Sequence, residues 1–410
     1  MESLPATPTP GLPGVRYRVA FLFNAQLHQL MHGLTTAIAL AADPAFDVHV
    51  IGASRAHLDC AGAMIARAGG APITLSRAGS DMLDAIARAA RGAVPLKLAR
   101  LAGQLRHLAG FDAIALPERT SILLRRLGVT GPRYIHLDHG AGDRAVGFDP
   151  RIKLFDFVLL PGHKTRGRML REGYLRPGAH AVVGYPKYDA VDLMRDPAWS
   201  PFADARPVVL YNPHFSSLGS WHRMGRAVLE AFAAQDRYNL VFAPHVRLFD
   251  DPARRAAAEA DLAVFAGHPR IHLDLGSDRS VDMSYPMLAD VYLGDVSSQV
   301  YEFLRTPRPC VFLDGQARAW EADENYAHWR FGPVLDGVPD GAGGLIDAID
   351  AARAGHEDYR AAQQAGFAET FDLTDEPSSV RAARAIATFL RFDAVASPAE
   401  GGATASNRRK

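Results

Sequence analysis

The stretch ADVYLGDVSSQVYEFLRTPRPCVFLDG, from Ala289 to Gly315, decides the fold. Val291, Tyr292 and Leu293 favour extended backbone and Gly294 and Asp295 close the run, so the first half reads as a buried strand. Behind Ser297 and Ser298, residues Val300, Phe303 and Leu304 recur at helical spacing, and Thr306-Pro307-Arg308-Pro309 stops that helix. Cys310 to Leu313 begins another strand. Strand, tight turn, helix, strand is the unit that builds parallel sheets with right-handed crossovers. Its turn lies at the carboxyl edge of the sheet, where open α/β sheets bind ligands and free amides favour a phosphate. Ser297 and Ser298 add hydroxyls at that edge, and Glu302, one turn on, is placed to accept from a ribose hydroxyl. Taken alone, the turn also fits a plainer reading, with Ser298 as an N-cap and Glu302 as a solvated helix residue.

The same unit recurs along the chain. Residues 17–23 form a first strand, His28 to Ala42 carries apolar residues at helical spacing, and residues 46–52 form a second strand. Further strands are expected at 113–116, 134–137, 157–160 and 181–183. A second series runs through 207–211, 240–243, 271–273, 291–293 and 310–313, with helical patterns at Met224 to Gln235 and Asp251 to Phe265. Pro197, Pro201 and Pro207 interrupt the periodicity between the series. The expected architecture is α/β, two Rossmann-like domains with mostly parallel sheets facing across a cleft. Residues 15–195 are expected to form the N-terminal domain and 196–394 the C-terminal one. Residues 1–14 and 395–410 read as a disordered leader and tail.

Composition narrows the function class. With 410 residues and 48% hydrophobic content the chain can bury a large core, and 45 Lys+Arg balance 45 Asp+Glu. No overall field therefore advertises nucleic acid as a partner. Cys60 and Cys310 stand far apart with no CxxC or Cys/His cluster, which argues for reduced thiols and against a structural zinc. The N-terminus lacks an apolar signal core, and no window approaches the roughly 18 apolar residues that cross a bilayer. No GxGxxG follows the first strand and no GxxxxGK[ST] or HExxH occurs, which disfavours nicotinamide cofactors, P-loop hydrolysis and zinc-protease chemistry.

Four other polar clusters sit where strands end: LDHGAGDR (Leu137 to Arg144), VVGYPKYD (Val182 to Asp189), YNPHF (Tyr211 to Phe215) and APHVR (Ala243 to Arg247). His139 precedes Gly140-Ala141-Gly142, which lets backbone approach a substrate closely, and a near-neutral imidazole suits removal of a hydroxyl proton. His245 with Arg247 is placed to donate to a phosphate in the transition state. His214 reads as a loop anchor.

In this order, the HG, GYPKYD, LYNPH, FAPH and serine-turn motifs, spanning Tyr134 to Pro333, resemble the CDP-glycerol glycerophosphotransferase family, enzymes related to teichoic-acid polymerases. The resemblance implies a GT-B fold, with an N-terminal acceptor domain and a C-terminal nucleotide-donor domain, and transfer of glycerol phosphate from CDP-glycerol to an acceptor hydroxyl. It further implies release of CMP with no cofactor and no required metal. By position, His139 resembles the family's general base and His245 the histidine of its second-domain phosphate site. Ser297 and Ser298 resemble the diphosphate-binding pair and Glu302 the acidic residue after it. Gly140, Asp295 and Arg247 join them as expected substrate contacts.

This chain departs from the family at Val296, where an aromatic residue is usual, at Val246, where proline is usual, and at Asp138, where an aromatic residue commonly precedes HG. Two alternatives stay open: a GT-B glycosyltransferase or UDP-sugar 2-epimerase, and a non-catalytic nucleotide- or glycan-binding GT-B module. The expected partners are a CDP-linked donor and a glycan or lipid-linked saccharide acceptor, in a cytoplasmic protein. Arg88, Arg91, Lys97, Arg100 and Arg106, interleaved with leucines between Arg88 and His107, suggest peripheral contact with the anionic inner face of the cell membrane, against the plainer reading of a core-facing helix with a solvated basic side.

Overall fold

A computed structural model of the chain describes residues 16–79, 103–338 and 344–396. Its central strands, such as Ala113–Leu116, Phe157–Leu160, Val208–Asn212 and Val291–Gly294, are short apolar runs buried on both faces, as helix-covered parallel sheets require. The first sheet holds β1 (Tyr17–Phe23), β2 (Phe46–Gly52), β3 (Ile73–Arg77), β4 (Ala113–Leu116), β5 (Arg133–Leu137), β6 (Phe157–Leu160) and β7 (His180–Val182), in the order β3-β2-β1-β4-β5-β6-β7. The second holds β8 (Val208–Asn212), β9 (Asn239–Phe242), β10 (Ile271–Leu273), β11 (Val291–Gly294), β12 (Cys310–Leu313) and β13 (Val334–Leu335), in the order β10-β9-β8-β11-β12-β13. Every neighbouring pair is parallel.

Helices of the first unit are α1 (Leu34–Ala41), α2 (Arg55–Arg67), α3 (Leu105–Leu108), α4 (His163–Arg171) and α5 (Pro186–Met194). Those around the second sheet are α6 (Trp221–Ala233), α7 (Pro252–Leu262), α8 (Ser284–Leu288), α9 (Gln299–Phe303), α10 (Gly344–Ala354) and α11 (Glu357–Thr370). The last helix, α12 (Ser378–Ala396), leaves the second unit and returns to the first. There Phe389 stacks on Phe157 at 4.6 Å and Arg391 pairs with Asp43 at 2.5 Å. The chain thus crosses between units twice, and the helix over 378–394, expected in the second domain, packs with the first and runs on to Ala396, two residues into the expected tail. Gly184 accommodates that return: it has φ +82, and a Cβ there would lie 2.3 Å from Ser378 Oγ.

The expected helix from His28 to Ala42 is split. A 3-10 segment, Leu27–His32, precedes α1, and Gly33 divides them where a Cβ would meet Leu137 Cδ1 at 2.6 Å. Each sheet reverses its winding beside its first strand, so loops diverge after β1 and after β8, and such switch points open crevices for ligands. Among the described residues no helix is long and apolar enough to cross a membrane. Most of the basic stretch from Arg88 to His107 lies outside the described residues, as do the N-terminal leader and the tail beyond Ala396.

Candidate functional site at the cleft

The second unit presents a wall wired to its own interior. Asp295, at the end of β11, is fully buried, and burial pushes its carboxyl pKa up. It accepts from the His214 amide at 3.0 Å, the Ser220 amide at 2.6 Å and Ser220 Oγ at 2.9 Å. Those bonds tie the loop after β8 to the serine turn after β11. Ser297, 2% exposed, donates its hydroxyl to Asn212 Oδ1 at 2.7 Å. Ser298 is exposed beside it.

His214 Nδ1 accepts the Ser216 amide at 3.0 Å and lies 2.9 Å from Ser216 Oγ, while its Nε2 lies 2.6 Å from Arg144 Nη2. His245 Nδ1 accepts the Arg247 amide at 3.2 Å, which leaves Nε2 as a ring N–H with no protein acceptor among the described residues. Burial, with Arg247 and Arg144, lowers the His245 pKa to about 4, and burial with Arg144 lowers that of His214 to about 2. The exposed Arg247 guanidinium lies 4.2 Å over the Phe215 ring.

The first unit's wall is less firmly held. His139 follows β5, its Nδ1 is buried without a hydrogen-bond partner, and its ring lies 5.5 Å from that of His32. Burial, then Arg119 and Lys187, lower its pKa to about 4 against the backbone carbonyls of Pro117 and Leu137. It is therefore neutral at ordinary pH, as a proton acceptor must be. His28 and His32, from the segment after β1, join it. Burial followed by Lys187, His139 and His245 brings His28 to about 3. Gly140 is exposed, its amide donating to Asp138 Oδ1 at 3.2 Å, and burial raises the Asp138 pKa to about 6.

Between the walls, the loop after β5 crosses the cleft. A Cβ on Gly142 would lie 3.2 Å from Ser298 Cβ. Asp143 takes Tyr301 Oη at 2.8 Å and His328 Nδ1 at 2.8 Å from the second unit, and Lys164 Nζ at 2.7 Å from its own. Burial opposes this charge, but Lys164 and His328 more than offset it and hold the carboxyl well below the usual carboxylate range. The Ala145 amide donates to Asn325 Oδ1 at 2.8 Å. A second crossing joins Glu302 to Lys187 at 2.7 Å and to Tyr185 Oη at 2.9 Å.

A cavity of about 480 Å³ opens between the walls, lined among others by Met31, Met194, Arg195, Ser277, Arg279 and Ser284. Asp196, Asp278 and Asp282 also line it, whereas His139, His245, Arg247 and Ser298 do not. Among the described residues no group of three or more His, Cys, Asp or Glu side chains is arranged to hold a metal ion.

The cleft therefore gathers His139, Gly140, His245, Arg247 and Ser298, while three expected contacts have other employment. Asp295 and Ser297 are buried braces, and Glu302 is engaged by Lys187 and Tyr185 instead of standing open to a ribose. Sequence reading passed over His28, His32, Lys187 and Arg144. The last two lie inside quoted motifs, but their partners are on the other unit; the histidines follow β1 at a switch point, which was a usable signal.

No family model matches the sequence, and no curated protein matches it. Solved structures do. A putative UDP-N-acetylglucosamine 2-epimerase from Listeria monocytogenes is 15% identical over 93% of this chain and 98% of that one, with a TM-score of 0.58. S. aureus MnaA in a co-structure with UDP is 16% identical over 92% and 97%, also at 0.58. The wall teichoic acid polymerase TagF soaked with CDPG is 12% identical over 92% and 89%, at 0.56. At such identities what is shared is the fold, and the chain has the GT-B fold.

Proposed function

We propose that the protein is a transferase that moves glycerol phosphate, or a related polyol phosphate, from a CDP-linked donor to an acceptor hydroxyl in cell-envelope glycan or lipid synthesis. The observation that supports it most is a pairing across the Gly142–Ser298 contact. On one side stand Arg247, the free Nε2–H of His245 and Ser298; on the other stands His139, neutral, with Nδ1 buried and Nε2 as the nitrogen that would face an incoming hydroxyl. The first group suits a diphosphate and the second an incoming hydroxyl.

In this reading the nucleoside occupies the cavity beside Ser277 and Ser284, and the diphosphate rests on Ser298, His245 and Arg247. The acceptor oxygen attacks the phosphorus that carries glycerol and its proton passes to His139. The bond from that phosphorus to the bridging oxygen breaks, and CMP leaves with the electron pair. His245 and Arg247 stabilise the charge that develops on it. The protein would work in the cytoplasm, at the membrane face where the acceptor is lipid-linked.

A second reading, a GT-B glycosyltransferase or UDP-sugar 2-epimerase, draws support from the shared fold with structures named UDP-N-acetylglucosamine 2-epimerase. Purified protein incubated with CDP-glycerol, CDP-ribitol or UDP-N-acetylglucosamine plus acceptor extracts separates the readings. The transferase releases CMP and makes a phosphodiester. Sugar transfer or epimerisation from the UDP-sugar would establish the second reading, and binding without turnover a ligand-binding module.

A further inference from the structure

We infer that Arg144 is a phosphate contact delivered across the cleft by the first unit, so that the diphosphate site is complete only when the two units are closed on each other. This rests on the reading of the cleft as a nucleoside-diphosphate site and extends it to a residue of the opposite domain. The residue before it is immobilised. Asp143 is 5% exposed and takes bonds from Lys164, Tyr301 and His328, two of them on the second unit. The next side chain is thereby aimed at the second unit's wall.

There the Arg144 guanidinium is half-buried and forms no ion pair among the described residues. Nη2 lies 2.6 Å from His214 Nε2, and Ser216 Oγ lies 3.5 Å from Nη1. Both partners are neutral. A desolvated guanidinium held only by neutral groups is unfavourable unless an anion completes it. The nearest carboxylate on that wall, Asp295, is spent on the His214 and Ser220 amides. Beyond His214 its ring neighbour His245 lies at 5.1 Å, and Phe215, at 4.2 Å from His214, carries Arg247 on its face. Two guanidinium groups from opposite units, neither in an ion pair among the described residues, thus flank one histidine pair, an arrangement that suits two adjacent phosphates.

Calorimetric titration of wild type, Arg144→Ala, Arg144→Lys and Arg144→Gln with inorganic pyrophosphate, CDP, UDP and cytidine tests this, after melting curves confirm folding. Arg144→Ala should weaken pyrophosphate and the nucleotide that wild type binds about 10- to 100-fold, leave cytidine unchanged and flatten the salt dependence of pyrophosphate binding. Lys should restore part of the loss. Should the Ala variant not fold, Gln, which keeps a polar group beside His214, must show the same loss. Unchanged pyrophosphate affinity in a folded variant overturns the inference. Pyrophosphate binding that depends on Arg144, without CDP or UDP binding, upholds this contact and sinks the nucleotide reading. A wild-type protein that binds none of the anions overturns both.

Discussion

The two walls of the cleft are built from similar residues and held in opposite ways. On the second unit, Asp295 bonds to His214 and Ser297 to Asn212 within a few residues of the strand ends, and Ser298, Arg247 and one nitrogen of His245 are left over among the described residues. On the first unit, the His139 ring has an unpartnered nitrogen, and the loop around it gains its fixed position from the other unit through Asp143. Under the proposed function, the difference separates a preformed receiving surface from a reactive one whose geometry depends on closure. A rigid cradle suits a charged donor, because its dipoles need no reorganisation, whereas a base must exchange its proton and is better left without a permanent partner.

Breaking the reactive wall should produce the largest effect. His139→Ala should lower turnover by about 100- to 10,000-fold in steady-state kinetics while calorimetric donor affinity stays at the wild-type value. Breaking the receiving wall at its brace should act on stability first. Asp295→Ala strands the His214 and Ser220 donors in the interior and should cost about 3–5 kcal/mol in denaturant unfolding. Smaller is the contrast between adjacent serines. Ser298→Ala should weaken donor binding about 5-fold with the melting temperature unchanged. Ser297→Ala should cost about 1 kcal/mol of stability, because Asn212 Oδ1 then keeps only Tyr292 Oη, at 3.3 Å.

Acid sharpens the same comparison on both walls at once. Burial lowers His28 to about 3 and His139 and His245 to about 4, so above their unfolded value of 6.5 neither folded nor unfolded chain binds these protons. Below 6.5 the unfolded chain binds them and the folded one does not, so stability should be full at pH 7.5 and fall as the pH descends toward 4. Melting curves at pH 7.5, 6 and 5 should show that decline. Across the same range above about pH 5, His139 stays neutral and kcat should not fall on its account.

Most of the fold was legible because its strands are continuous apolar runs closed by Gly, Pro, Asp or His, as at Phe157–Leu160 and Val291–Gly294. Two strands escaped notice. Ile73–Arg77 is a half-buried edge with Thr74, Ser76 and Arg77 in it, and Val334–Leu335 has two residues. Gly33 hid the break before α1, since helical spacing continues through it and the reason for the break, contact with Leu137, is distant in sequence.

The candidate site was legible as a set of strand-end motifs, and less so as individual roles. Asp295, Ser297 and Ser298 are indistinguishable on paper, yet the first two are buried and the third is exposed. Glu302 and Lys187 each stood in a quoted motif, but their 2.7 Å pairing across the cleft required both domains to be placed. Arg144 was missed for the same reason: its partners lie 70 and 72 residues away on the other unit.

The central claim is that the cleft receives a cytidine nucleotide beside Ser298, His245 and the cavity lined by Ser277 and Ser284. Calorimetric titration of the purified protein with CMP, UMP, GMP and AMP addresses it most directly. The account predicts that CMP binds most tightly and that Ser298→Ala and His245→Ala each weaken it. Tightest binding of a purine nucleotide, or CMP binding that neither substitution alters, would contradict it.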